Sequence, residues 1–273
     1  MAVIGGTNGL GRALAHAFAA HGAEVYVVGR TFRDQGVEGL SFISADLSQM
    51  KEARRVAEEL PAETLDMLIR SAGSGPGKQR VESSEGIEQD VAISYLSHVV
   101  ITRGVADRLG TKRTDKSLKP RIFVLAGPGV GIVGDASDLN AERTNDYWLA
   151  HMNTVAGNEA MVLDGATRYS GISFYGLNPG MVKTDIRSHF LGKGSLRHRF
   201  VEGLVGMLWG GPDEYAERTA PLLVSPDIEQ FSGAMFNKHG EAIEPSPGLT
   251  DRAYVRKFMD ASEQLTKRAI GNG

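Results

Sequence analysis

The chain has 273 residues, 41% apolar and 23% charged, and contains no cysteine. Thirty basic residues against 33 acidic ones leave a net charge of −3, which gives nucleic acid or an anionic membrane no electrostatic hold on it. The missing cysteine excludes disulfides, thiolate nucleophiles and Cys-ligated zinc and fits a reducing cytoplasm, and no run approaches the ~20 apolar residues that span a bilayer.

In chain order, Ala2–Ile4 is a short apolar strand that runs straight into Gly5-Gly6. The opening residues lead us to expect no signal peptide, and a strand so short at its N-terminal end leads us to expect a few further native residues before Met1. Leu10, Ala13, Leu14, Ala17 and Phe18 recur at helical steps until Gly22, and Glu24–Val28 is a buried strand closed by Gly29. A second β-rich run covers Leu40–Ala45, and residues 51–60 form a charged helix stopped by Pro61. Met67-Leu68-Ile69 is a strand ending near Ala72-Gly73, and a long helix is predicted from Ile87 to about Leu109. Arg121–Leu125 is a strand, followed by a helix around Asn153–Arg168 and a strand over Ile172–Leu177 that Asn178-Pro179-Gly180 breaks. Residues 186–225 resemble an excursion from the sheet. Ala234-Met235-Phe236 is the last predicted strand and Asp251–Arg268 a closing helix.

Short apolar strands alternating with amphipathic helices imply βαβ units. The expected fold is α/β: a Rossmann-type doubly wound parallel sheet in a single domain, 1–273, with the 186–225 insertion as a lid over the strand C-termini, where ligands bind in such sheets.

Gly5, Gly9 and Gly11, with Thr7, Asn8 and Leu10 between them, lie directly between a strand and a helix. Glycine there lets the backbone approach a pyrophosphate, while the free amides of the helix N-terminus face its charge. The spacing G-x-x-x-G-x-G resembles that of the short-chain dehydrogenase/reductase family, and the likeness continues along almost the whole chain. Asp46-Leu47 resembles the family's adenine-contacting pair. Arg70-Ser71-Ala72-Gly73 stands where the family has Asn-Asn-Ala-Gly. Pro179-Gly180-Met181-Val182-Lys183-Thr184 is similar to the run that holds the nicotinamide carboxamide. The resemblance implies a nicotinamide cofactor. Its identity turns on the end of the second strand, where an acid would take the ribose 2′-hydroxyl. Here that strand ends Gly29-Arg30-Thr31. A guanidinium suits a 2′-phosphate, so NADP(H) is expected, with a solvated surface arginine as the alternative. Arg33 either assists or is solvated.

In the family a Tyr exchanges the substrate proton, a Lys four residues on tunes it, a Ser fixes the carbonyl and an Asn supports a relay. The segment from Asp138-Leu139-Asn140 to Asn158 resembles the retinol-dehydrogenase-like branch without a gap. That register puts His151 at the Tyr place and Val155 at the Lys place, with Gly127 or Ala126 at the Ser place and Ser94 at the Asn place. All four depart from the pattern. His151 as general acid is one candidate, since an imidazolium suits proton transfer near neutral pH. A shifted Tyr147-x-x-x-His151 pair is another, and Ser94 is either a relay or a backbone-satisfied helix residue. A third possibility is that the substrate brings its own proton, as a ketone flanked by a phenol does. Intact cofactor motifs without that set are similar to an atypical ketoreductase of aromatic polyketides, which implies reduction of a bulky, angucyclinone-like ketone with a proton from substrate or water.

The apolar stretch from His189-Phe190-Leu191-Gly192 to Trp209 suits a planar ligand or a packed helix face equally. His16, His189 and His198 have no metal-ligand spacing, so no metal is expected. The resemblance further implies a homo-oligomer built through the two long helices. A non-catalytic NADP(H)-binding sensor, or a different chemistry on the same scaffold, would account for the same residues.

Overall fold

The computed structural model describes residues 1–77, 79–180 and 211–271. Its strands are β1 (Ala2–Ile4), β2 (Val25–Gly29), β3 (Leu40–Ser44), β4 (Met67–Arg70), β5 (Arg121–Leu125), β6 (Ser173–Leu177), β7 (Met235–Phe236) and β8 (Ala242–Ile243). They form one sheet in the order β3-β2-β1-β4-β5-β6-β7-β8. The neighbours are parallel except for the β7–β8 pair. The expected doubly wound α/β sheet is therefore present.

Strand alternation divides the apolar residues between two faces. Val3, Val25, Val27, Ile69 and Phe123 cluster with Ala13, Leu14 and Phe18 of α1 (Gly9–Ala20) and with Tyr215, Ala216 and Leu223 of the helix α6 (Pro212–Val224). On the other face, Ile4, Val28, Leu68, Ile122, Val124 and Phe174 lie under α2 (Met50–Glu59), α4 (Ser97–Val105), α5 (Tyr147–Arg168) and α7 (Arg252–Gly271). Strands buried on both sides read as continuous apolar runs, which is why periodicity located them.

Four boundaries depart from the sequence reading. The helix predicted from Asn153 begins at Tyr147, because the Asp146 carboxylate caps it by accepting from the amides of Trp148 and Leu149. The helix predicted over Ile87 to Leu109 is interrupted. A short α3 (Gln89–Val91) leads into a π turn (Ala92–Leu96), then α4, then a 3₁₀ turn (Ala106–Arg108). Strand β8, only two residues long, has no pattern to announce it. Of the 186–225 excursion, residues 212–224 form α6, a flanking helix packed on α1, and residues 186–210 lie outside the described residues.

The long helices are fixed closely. A Cβ on Gly157 of α5 would stand 2.5 Å from the Tyr95 ring, and one on Gly165 would enter the Phe174 ring. Along α4 and α5 lies α7, whose Phe258 meets Tyr95 edge-on and whose Ser262 hydroxyl is 2.7 Å from the Tyr95 hydroxyl. Arg103 of α4 joins Asp164 of α5 and Glu263 of α7, at 2.7 and 3.0 Å. The two long helices expected to serve oligomer assembly thus also carry a helix of the same chain, α7.

Candidate functional site

The strand order reverses between β1 and β4, which run parallel, and this opens a crevice beyond their carboxyl ends. The two loops that floor it are joined through the backbone. The Ser71 amide donates to the Ile4 carbonyl, and the Gly5 amide donates to the Val28 carbonyl, each at 2.9 Å. Gly5 has φ +83°, and a Cβ there would sit 2.5 Å from the Ala72 backbone; one on Gly11 would collide with the Ser71 hydroxyl. Thr7 lies as tightly against Gly29, where a Cβ would meet its hydroxyl at 2.6 Å. The N-cap Asn8 is extended and its side chain does not cap α1, whose first turn has no acid. The amides of Gly9, Leu10 and Gly11 and the positive end of the helix are thereby left to an anion.

At the end of β2, Arg30, Thr31 and Arg33 are exposed, and neither arginine has a hydrogen-bond or ion-pair partner among the described residues. The next acid along, Asp34, is buried and turned back onto α1. It accepts from Arg12 Nε at 2.9 Å, which holds its carboxyl below the ordinary carboxylate range, and it lies 3.2 Å from His16. Asp46 is exposed after β3 and accepts the Ser48 amide, while Leu47 is buried beside it. Ser71 and Ala72 are half-buried and Gly73 exposed at the end of β4. Pro179 and Gly180 follow β6, with the Gly180 amide donating to Asn178 Oδ1. Val182 and Thr184 lie outside the described residues. The glycine cradle, the uncapped α1 and the free Arg30 fit a nicotinamide dinucleotide; the α1 amides would hold its pyrophosphate.

At the other end of the crevice, His151 stands on the second turn of α5, half-buried, with Nδ1 2.7 Å from Asp90 Oδ2. Asp90 is 2% exposed. Its other oxygen accepts from the hydroxyls of Ser74, at 2.9 Å, and Ser94, whose own oxygen accepts the Ser74 amide. Burial pushes the Asp90 carboxyl up, but the bonds from His151, Ser94 and Ser74 overcome it and hold the group below its ordinary range. Sequence reading named His151 and Ser94 and missed Asp90 and Ser74. Asp90 lies one helical turn before Ser94 and could have been found from that spacing. Tyr147, half-buried at the first residue of α5, has no hydrogen-bond partner among the described residues, so His151 is tied to Asp90 rather than to Tyr147. Gly127 and Val155 are neighbours: a Cβ on Gly127 would be 3.6 Å from the Val155 methyl.

Beneath the Ala72-Gly73 loop, Arg70 is fully buried. Its Nη1 donates to the His98 carbonyl at 2.7 Å, while Nε and Nη2 have no partner among the described residues. Burial, with Arg103 nearby, pushes its guanidinium down to about 9. His98 is also fully buried, bonded to Asn158 at 3.0 Å, and burial beside Arg70 pushes its imidazole down to about 3. It is a neutral structural group at neutral pH. No cluster of metal-ligating side chains exists among the described residues, and no described helix is long and apolar enough to cross a membrane.

A doubly wound sheet with a glycine-floored crevice at its switch point defines a dinucleotide-binding α/β domain. The profile of the short chain dehydrogenase family matches residues 1–116. An uncharacterized oxidoreductase of Saccharomyces cerevisiae is 44% identical over 276 residues, covering 100% of this chain and 89% of the relative. The oxidoreductase andH of Emericella variicolor is 28% identical over 299 residues, covering 99% and 85%. The chain belongs to the short-chain dehydrogenase family and is a nicotinamide-dependent oxidoreductase. Among solved structures, the aldohexose dehydrogenase of Thermoplasma acidophilum shares the fold, with TM-score 0.63, 16% identity and coverage of 86% of this chain and 90% of that one. So does a short chain dehydrogenase family protein of Francisella tularensis, at 0.63, 17%, 86% and 95%.

Proposed function

We propose that this chain is an NADP(H)-dependent ketoreductase acting on a bulky aromatic, polyketide-like ketone, and that its proton chemistry runs without a tyrosine–lysine pair. The observation that carries the reading is the wall beside His151. Gly127 and Val155, at the places where the family resemblance sets serine and lysine, offer only carbon to the crevice. His151 is then the side chain left to give a proton at the tyrosine's place. NADP(H) follows from Arg30, exposed and free at the end of β2 while the neighbouring acid Asp34 is bound away by Arg12.

The cofactor, when bound, supplies the hydride. The α1 amides and Arg30 would bind its phosphates, and the loops after β4 and β6 would orient it. His151 would donate to the carbonyl oxygen as negative charge gathers there. Residues 186–210, rich in Phe, Leu and Trp209, are the proposed cover of an aromatic substrate. The family's small-molecule chemistry calls for neither nucleic acid nor membrane.

Consumption of NADPH with α-tetralone and with its peri-hydroxy derivative tests both parts. Reduction of both ketones, with His151→Phe lowering kcat by about 10²–10⁴-fold, is the result expected of a protein donor. Reduction of the hydroxylated ketone alone, indifferent to His151→Phe, would assign the proton to the substrate. Binding of NADPH without consumption by any aromatic ketone would leave the sensor reading in its place. Arg30→Asp is expected to lower the preference for NADPH over NADH by about tenfold or more, since a charge-assisted phosphate contact becomes a repulsion; an unchanged ratio would refute the cofactor assignment.

A further inference from the structure

We infer that Asp90 is the residue that makes His151 a proton donor: a positioning carboxylate that fixes the imidazole through Nδ1 and leaves Nε2 to the substrate. This rests on the ketoreductase reading and adds to it a second residue, 61 positions away in the chain.

The geometry supports the assignment from three sides. Nδ1 and Oδ2 are 2.7 Å apart, a charge-assisted distance, and Asp90 is 2% exposed. Its Oδ1 is already taken by two hydroxyls, from Ser74 in the loop after β4 and Ser94 in the π turn. The carboxylate therefore has one oxygen left, and the imidazole occupies it. Nε2 has no partner among the described residues, and the His151 side chain is 25% exposed, so the free edge of the ring meets the crevice. Trp148 lies beside the ring at 5.8 Å between centroids, tilted by 41°.

The ionisable neighbours of the ring are few. Asp90 faces it from α3, and Glu88, two residues earlier, caps α3 with Arg80 in its field. Tyr147 lies one turn back on α5 itself. Asp90 is thus the charge in direct contact with the ring. As the carbonyl carbon gains a hydride, the oxygen takes the π electrons and the proton from Nε2. The ring is left neutral, with its remaining proton on Nδ1 held by Asp90, and it regains a proton from solvent through its exposed edge. The carboxylate keeps its charge throughout. Removing it while preserving shape would invert the tautomer, because an amide at this position would donate to Nδ1 instead of accepting from it.

The test uses Asp90→Asn, Ser94→Ala and His151→Phe in the full chain. In the free protein, ¹⁵N NMR of the His151 ring is expected to show Nδ1–H in the wild type and Nε2–H in Asp90→Asn. With NADPH and phenanthrenequinone, Asp90→Asn is expected to lose about 10²-fold or more in kcat, with the Kd for NADPH unchanged. The slope of its pH–rate profile should flatten as well. Ser94→Ala, which leaves the His151–Asp90 bond in place, is expected to lose less than about tenfold. An unchanged tautomer in Asp90→Asn, or wild-type kcat in that variant, would overturn the inference. So would a loss in Ser94→Ala equal to that in Asp90→Asn. If His151→Phe turns over at the wild-type rate, it is the ketoreductase's proton donor that fails, separately from the role of Asp90.

Discussion

Glu88 offers a measurement of how the buried wall behind the candidate site responds to pH. Its carboxyl is 3% exposed and accepts the Val91 amide at 2.8 Å, so it caps α3 two residues before Asp90. Burial, reinforced by the charge of Asp90, pushes it up from 4.5 to about 7. For an acid raised in this way the folded state prefers the protonated form. Stability is therefore highest below the unfolded value and falls as pH climbs through 7. At about 1.4 kcal/mol per pH unit the full penalty is at most about 3 kcal/mol. Linkage assigns about 2.5 kcal/mol of it to the interval between pH 5 and pH 8. With an unfolding entropy of about 2.1 cal/mol/K per residue, that corresponds to roughly 4 °C in Tm. Glu88→Gln keeps an acceptor for the Val91 amide and cannot ionise. Melting curves by circular dichroism at pH 5 and pH 8 should show the wild type losing about 4 °C more than the variant over this interval. Parallel losses, or a variant less stable than the wild type at pH 8, would refute the argument.

Arg70→Met is expected to stabilise the fold by about 1–4 kcal/mol, read as a higher urea midpoint at unchanged slope, because a buried guanidinium with two unpartnered nitrogens gives way to an apolar chain. A lowered midpoint would show that the guanidinium stabilises the fold. Since α7 already covers α4 and α5, sedimentation should return the mass of one 29.3 kDa chain. A dimer that persists on dilution would contradict the covered-face argument.

Much of the fold was legible because strands buried on both faces and alanine-rich helices carry strong periodicity. The glycine floor of the crevice was legible because Gly5 and Gly11 leave no room for a Cβ where two loops touch. The apolar stripe of α7 was visible in the sequence, whereas the α4 and α5 surface it packs on was not, for lack of tertiary information. The π turn at Ala92–Leu96 left no mark in composition, although it sets where Ser94 and Tyr95 point. Ser94 was weighed alone, since nothing in a linear pattern joins residue 90 to residue 151. Asp90, at a helical-turn spacing from Ser94, was within reach of a search for carboxylates on that face. Residue identity alone misleads in the same way at Arg70, which stands in a cofactor motif yet extends under the helices to the His98 carbonyl.

The absence of side chains at Gly157 and Gly165 has a dynamic consequence. With the Tyr95 ring seated on one and the Phe174 ring on the other, α5 can neither slide along its axis nor roll without driving backbone into an aromatic ring. The imidazole near its N-terminal end is accordingly mounted on a stationary arm. Any adjustment to incoming ligands has to be made by the segments around that arm, and the imidazole's position relative to the sheet is settled before a ligand arrives.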